Sequence, residues 1–157
     1  MRDQSDSPAV RFPPPFLYIA GFLLGLVLQR LMPISWPQAS EKPVGFLLIA
    51  AGLALSSSAI ALFFRKGTAI RPDKPSGTLV IAGPYFVTRN PMYLGLALVY
   101  SGLAVLMRTL FPLLLLPLVL FSVWYFCIRR EEAYLERRFG TEYERYKSTV
   151  GRWFVWF

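Results

Sequence analysis

The chain has 157 residues, of which 55% are hydrophobic and 17% are charged, whereas roughly a quarter are charged in an ordinary soluble domain. Together with a mean hydropathy of +0.45, this composition indicates a membrane protein. The chain contains no histidine and a single cysteine, Cys127. These counts exclude an imidazole base, an intrachain disulfide and a thiolate metal site, so we predict no metal site.

The apolar runs predict an all-α integral membrane protein with four transmembrane helices. Because each span uses about 20 residues, the chain leaves no room for a separate globular domain. Residues 1–13 predict a flexible N-terminal arm, and residues 14–157 predict one membrane domain. Pro91 suits the first helical position with Asn90 as its N-cap, which marks the start of the third span. The predicted spans cover residues 16–31, 44–64, 92–107 and 109–128.

The basic residues predict the orientation of the chain in the membrane. Three of the 17 lysines and arginines, Arg30, Lys42 and Arg108, fall on one side, and the rest lie with both termini and the 65–90 loop. The positive-inside rule therefore places both termini and this loop in the cytoplasm. We expect a bacterial or archaeal inner (plasma) membrane. Since topology explains most of the net charge of +8, we predict the lipid bilayer and no nucleic acid as a partner.

The tail after the fourth span, residues 129–157, predicts a bent amphipathic helix. Gly140 interrupts its apolar stripe, and Thr141 with Glu144 suggests a capping box at the start of a second short helix. The tail is expected on the membrane surface or over the 65–90 loop, with its aromatic end as an interfacial anchor. The stripe consists of Leu135, Phe139, Tyr143, Tyr146 and Val150.

Two clusters of polar residues next to the membrane are candidates for chemistry. The first surrounds the start of the third span, where the positive end of the helix dipole favours an anionic group. It contains Tyr85, Arg89, Asn90 and Tyr93. The second cluster places Glu131 and Glu132 where the fourth span leaves the membrane, and helical phase turns Glu131 inward. A carboxylate in that position requires a cation. The cation is either one of Arg89, Arg129 and Arg130, or the ammonium group of a bound ligand, whose ribose hydroxyls would also contact the carboxylate.

The two clusters carry the motifs G-P-Y-x-x-x-R-N-P-M-Y-L-G and E-E-x-x-L-x-x-x-F-G-x-E-Y-x-x-Y-x-x-x-V-x-R. Over about residues 77–154 the chain resembles the membrane methyltransferases of the isoprenylcysteine carboxyl methyltransferase type and the related phospholipid N-methyltransferases. The resemblance implies that S-adenosylmethionine binds at the cytoplasmic face and that a lipid-like acceptor arrives from the bilayer. The implied cofactor contacts are Tyr85, Arg89, Asn90, Pro91, Tyr93, Glu131 and Glu132, with Arg89 and Glu131 as the catalytic candidates.

At one position the chain departs from the pattern of the family that it resembles. Many members have histidine at the position of Asn90, and an asparagine amide cannot accept a proton near neutral pH. The expected function is transfer of a methyl group from S-adenosylmethionine to a small hydrophobic or lipid-like carboxylate, thiol or amine. A carboxylate or thiolate acceptor needs no base, whereas an amine would require Glu131 or Glu132.

Two alternative functions stay open at this point. The first is a non-catalytic four-span protein such as a small transporter subunit, which the absence of ionisable residues inside the predicted spans disfavours. The second is a nicotinamide-dependent membrane reductase, because sterol reductases share the core of the resembled family. The sequence leaves the acceptor, the site of methylation (O, S or N) and the oligomeric state undetermined.

Overall fold

A computed structural model describes residues 13–36, 42–65 and 78–153. Three predicted features lie wholly or largely outside these ranges: the N-terminal arm at 1–13, residues 66–77 of the polar loop and residues 154–157 of the aromatic anchor. Within the described ranges all regular structure is helical, without a β-strand, which confirms the all-α class.

The first three helices agree with the predicted spans to within two residues at each end. The regular part of the fourth helix ends at Val123, five residues before the predicted end at residue 128, and a π-turn continues it to Ile128. A 3₁₀ turn precedes the third helix, and a π-turn joins the fourth helix to the fifth. In chain order the elements are α1 (Pro14–Leu31), α2 (Lys42–Arg65), the 3₁₀ turn (Gly83–Phe86), α3 (Pro91–Leu106), α4 (Leu110–Val123), the π-turn (Trp124–Ile128), α5 (Arg129–Phe139) and α6 (Thr141–Thr149).

Three of the described helices are long and apolar enough to cross a membrane: α1, α2 and the continuous helix Leu110–Phe139 that contains α4 and α5. The apolar helix α3 has only 16 residues, which corresponds to about 24 Å against a hydrocarbon core of about 30 Å. The chain is therefore an integral membrane protein, and the number of four spans stays a prediction.

Helices α2 and α3 pack through glycines on both sides of their contact. A Cβ atom built on Gly52 would lie 2.5 Å from the carbonyl oxygen of Gly95, and one built on Gly95 would lie 2.7 Å from that of Gly52. Two turns away, a Cβ on Gly102 would lie 2.7 Å from the carbonyl oxygen of Gly45. Because lipid does not drive apolar helices together, such close backbone packing is a main source of helix association in membranes.

Two clusters of buried side chains lie on either side of α3. The first joins α1, α3, α4 and the π-turn through Tyr18, Tyr93, Ala97, Tyr100, Val119, Val123, Cys127 and Ile128. The second joins α2, the described end of the polar loop and α6 through Ala59, Val80, Tyr85, Tyr143, Tyr146 and Val150. The apolar stripe of the tail thus packs against α2 and the described end of the polar loop, in agreement with one of the two locations that the sequence allowed.

The bend of the tail is confirmed, but the predicted capping box is wrong. Gly140 separates α5 from α6 with a positive φ of 50°, and it is itself the N-cap of α6, with no side-chain cap. Thr141 already lies in the first turn of the helix, and the N–H of Glu144 donates to the carbonyl of Gly140. Asn90 does occupy the N-cap position of α3, although its side chain does not cap the helix.

The short connection between α3 and α4 places Arg108 in a conformation that normally belongs to glycine. The N–H of Thr109 donates to the carbonyl of Ala104, the N–H of Arg108 donates to that of Val105, and Arg108 has a φ of 53°. This is the hydrogen-bond pattern of a Schellman motif, in which glycine usually occupies the left-handed position.

Arg108→Gly is expected to raise the free energy of unfolding by up to about 1 kcal/mol, because removal of the Cβ penalty of the left-handed region outweighs the larger entropy that glycine gives the unfolded chain. Arg108→Ala is the matched control, since it removes the charge and keeps the strain. Unfolding in detergent, followed by circular dichroism, measures both variants. Equal stability of the two would show that Arg108 is not strained.

Candidate active site

The carboxylate of Glu132 lies between two arginines that belong to distant parts of the chain. Arg152 donates to it from Nε over 3.0 Å and from Nη2 over 2.8 Å, while Nη1 of Arg89 lies 2.9 Å from Oε1. The Glu132 side chain is 12% exposed and that of Arg89 is 8% exposed. A carboxylate buried to this extent is stable only when it is paired and hydrogen-bonded, so this three-residue network is a structural requirement.

The neighbouring carboxylate, Glu131, has a different partner. The hydroxyl of Tyr93 donates to Oε1 of Glu131 over 2.6 Å, and the carbonyl of Tyr93 accepts a hydrogen bond from the hydroxyl of Tyr18 over 2.8 Å. The inward position that helical phase predicted for Glu131 is confirmed. The π-turn directly before α5 sets the rotation of α5 about its axis, and such turns are frequent at functional sites.

The C-terminal segment, residues 150–153, lies against the residues that precede α3. The side-chain amide of Asn90 and the hydroxyl of Thr88 each donate to the carbonyl of Arg152 over 3.0 Å. The backbone N–H of Arg89 donates to the carbonyl of Gly151, also over 3.0 Å. Asn90 therefore positions the backbone of the residue whose guanidinium binds Glu132.

Two tyrosines of α6 contact residues of the first motif. Nη1 of Arg89 donates to the hydroxyl of Tyr143 over 3.3 Å, and the hydroxyl of Tyr146 donates to the carbonyl of Tyr85 over 2.7 Å. Burial, with a further contribution from Glu132, raises the pKa of Tyr143 to about 12. Hydrogen bonding to Glu132 raises the pKa of Arg152. The phenol thus stays neutral and the guanidinium stays charged near neutral pH.

The structure brings most of the residues suggested by the sequence into one hydrogen-bonded region. Arg89 and Glu132 form its ion pair, Tyr93 and Glu131 its second contact, and Asn90 reaches it through Arg152. Of the cations considered for Glu131, Arg89 instead pairs with Glu132. Pro91 is a fully buried residue that begins α3. Tyr85 lies in the second cluster of buried side chains, with its ring 5.8 Å from that of Phe63.

Sequence reasoning did not place three residues of this region in the candidate site: Thr88, Tyr143 and Arg152. The signal was present for two of them, because Tyr143 and Arg152 are both letters of the second motif. Thr88 occupies an unspecified position of the first motif, so only its contact with the C-terminal segment identifies it.

The site contains more donors than its own acceptors satisfy. Two arginines share the single carboxylate of Glu132, and Nε of Arg89 is buried without a hydrogen-bond partner among the described residues. An orphaned buried donor is costly. These residues suit a ligand that offers a carboxylate to Arg89 and a cationic amine or hydroxyl groups to Glu131 and Glu132, as S-adenosylmethionine does.

Glu132→Ala is expected to lower the free energy of unfolding by about 3–5 kcal/mol, because it leaves two arginines without their shared partner. The matched control is Glu136→Ala, which removes the pair with Lys147. That pair is 40–45% exposed, and such surface pairs contribute about 0–1 kcal/mol. Unfolding in detergent measures both variants. A loss for Glu132→Ala no larger than that of the control would contradict the central role of Glu132.

Parts of the chain match known proteins. A segment of 28 residues is 64% identical to an uncharacterized protein of Haemophilus influenzae and covers 18% of this chain and 44% of that protein, so the match spans less than half of the relative. No solved structure matches the chain. The model of the family described as phospholipid methyltransferase matches residues 41–142, from the start of α2 to the start of α6. With well over half of its length matched, this chain belongs to the phospholipid methyltransferase family, as its two motifs predicted.

Proposed function

We propose that the protein is an S-adenosylmethionine-dependent membrane methyltransferase that acts on a small hydrophobic or lipid-like acceptor reached from the bilayer. The observation that carries this proposal is the meeting of the two motifs. Arg89 of the first motif contacts Glu132 of the second, and Tyr93 of the first contacts Glu131 of the second. Both contacts lie at the polar end of the helix bundle. Membership of the phospholipid methyltransferase family supports the same reaction class.

The cofactor would be held by residues with complementary charge. Arg89 would bind its carboxylate through the donors that Glu132 leaves unused, and Glu131 and Glu132 would bind its amine and ribose hydroxyls. The wall around the cofactor would be formed by Tyr85, Asn90, Pro91 and Tyr93. S-adenosylmethionine supplies a methyl group that its sulfonium charge already activates for in-line displacement. The protein then has to align the acceptor and exclude water.

Glu131 would accept the proton if the acceptor is an amine. The hydrogen bond from Tyr93 fixes the orientation of the carboxylate, and a phenol can donate it without itself being ionised. A carboxylate or thiolate acceptor would need no proton transfer, which suits a chain without histidine. Asn90 takes part through its bond to the carbonyl of Arg152, a role that requires a donor and no base.

S-adenosylmethionine and its demethylated product are both expected to bind the purified protein in isothermal titration. Glu131→Gln and Arg89→Ala should each weaken this binding by about tenfold or more, the factor for losing one hydrogen bond to a charged group. Glu142→Gln, an exposed change on α6, is the matched control. Absence of heat with a demonstrably folded wild-type protein would refute the proposal. Binding of a nicotinamide dinucleotide in its place would instead indicate a reductase.

We further propose a topology of four spans in the inner (plasma) membrane of a bacterium or archaeon, with both termini in the cytoplasm. The length and apolar character of α1, α2 and α4 support three spans, and α3 joins them through its glycine contacts with α2. The acceptor site would then open toward the cytoplasmic half of the bilayer.

Cysteine labelling tests this orientation at two exposed arginines, Arg108 and Arg137. A membrane-impermeant maleimide should label Arg108→Cys in intact spheroplasts and label Arg137→Cys only after permeabilisation. The native thiol, Cys127, is buried and serves as the unlabelled background. The opposite labelling pattern would reverse the topology.

A further inference from the structure

Arg152 and Arg89 together occupy most of the hydrogen-bonding capacity of Glu132. Nε and Nη2 of Arg152 donate to Oε1 over 3.0 Å and to Oε2 over 2.8 Å, and Nη1 of Arg89 lies 2.9 Å from Oε1. A carboxylate has about four acceptor positions, so only about one stays open beside these donors. Because the two guanidiniums would repel a third cation, a ligand amine can bind Glu132 closely only if one of them withdraws.

The two guanidiniums differ in how easily they can leave Glu132. The Arg89 side chain is 8% exposed, so its withdrawal would leave a buried charge unpaired. The Arg152 side chain is 33% exposed, which lets water solvate its charge when the pair opens. The Arg152 guanidinium also lies 5.9 Å from the centre of the Trp124 ring, and an indole face attracts a cation. Arg152 is therefore the partner that can leave at the lower cost.

The backbone of the C-terminal segment is held independently of this ion pair. Val150 is buried in the second cluster of side chains, and Trp153 packs against the first. Between them, the carbonyls of residues 151 and 152 accept three hydrogen bonds, from the hydroxyl of Thr88, the side-chain amide of Asn90 and the backbone N–H of Arg89. The guanidinium of Arg152 can thus move while its backbone stays in place. A groove of about 210 Å³, lined in part by Trp124 and Trp153, has room for this movement.

From these observations we infer that Arg152 is an internal competitor of the cofactor amine for Glu132. Without the cofactor, the guanidinium of Arg152 pairs with Glu132. In the cofactor complex the amine takes this place, the guanidinium turns to the ring of Trp124, and Arg89 keeps its pair with Glu132. The buried carboxylate is then paired in both states, as its burial requires. This inference rests on the proposed function, because it needs a cofactor with a cationic amine.

Isothermal titration with the demethylated product of the cofactor tests this competition. The product keeps the amine and has no sulfonium charge, so a change in its affinity cannot come from the sulfonium. Arg152→Gln is expected to raise the affinity about fivefold, because a partly exposed ion pair of about this strength no longer has to be broken. The matched control is Arg145→Gln, an exposed arginine of α6, which should leave the affinity unchanged.

The control ligand is 5′-methylthioadenosine, which has the adenosine part of the cofactor and lacks both the amine and the carboxylate. Its affinity should be the same for the wild-type protein and for Arg152→Gln. An equal gain for both ligands would contradict the inference, because the effect of Arg152 would then not involve the amine.

A second measurement uses the wild-type protein, so it stands even if a variant fails to fold. Phenylglyoxal modifies accessible guanidinium groups, and peptide mass spectrometry locates the modified arginines. Saturation with the demethylated product should increase the modification rate of Arg152, whose guanidinium leaves Glu132. The reference is Arg137, an exposed arginine of α5, whose rate should not change.

The opposite results would overturn the inference. If the product slows the modification of Arg152 or leaves it unchanged, or if Arg152→Gln weakens binding of the product, then Arg152 is a contact of the cofactor or a purely structural partner of Glu132. Each of these results still requires binding, so the proposed function would survive them. Absence of heat with the folded wild-type protein would refute the proposed function and this inference together.

Discussion

The pairing of one buried carboxylate with two arginines is the interaction on which the rest of the site depends. Glu132 lies on α5, Arg89 precedes α3 and Arg152 follows α6, so the three residues tie together segments up to 63 positions apart in the chain. An unpaired charge at this depth would be unstable. The chain must therefore bring the start of α3, the start of α5 and the C-terminal segment to one place, and the contacts of Asn90, Tyr93 and Glu131 follow from that convergence.

The helices that carry this network are positioned by packing of a different kind. Glycines on both α2 and α3 let the two backbones approach until no side chain fits between them, as the distances at Gly52 and Gly95 show. On the other side of α3, buried tyrosines and small residues connect it to α1 and α4. A site whose ion pairs are assembled from several helices needs such close packing, because small displacements of a helix end would separate the charged groups.

Local patterns predicted most of the fold and part of the site. Apolar runs and the Asn90–Pro91 pair marked the helices, and helical phase turned Glu131 inward, since both signals depend only on residues close in sequence. The partners of the two carboxylates were harder to predict from the sequence. Three cations were plausible partners for Glu131, yet Arg89 binds Glu132 and Tyr93 binds Glu131. The rotation of α5 that produces this pairing comes after a π-turn, which no periodicity in the sequence indicated.

The sequence by itself determined the membrane character of the protein, the bounds of its first three helices and its two family motifs. The physical reason is that hydropathy, proline positions and motif letters act over a few residues. Only the tertiary structure decided which groups meet. It gave Asn90 the carbonyl of Arg152 as its partner and packed α6 against α2 and the described end of the polar loop. These features require atoms from distant segments within hydrogen-bond or packing distance, and only the folded arrangement of the helices sets those distances.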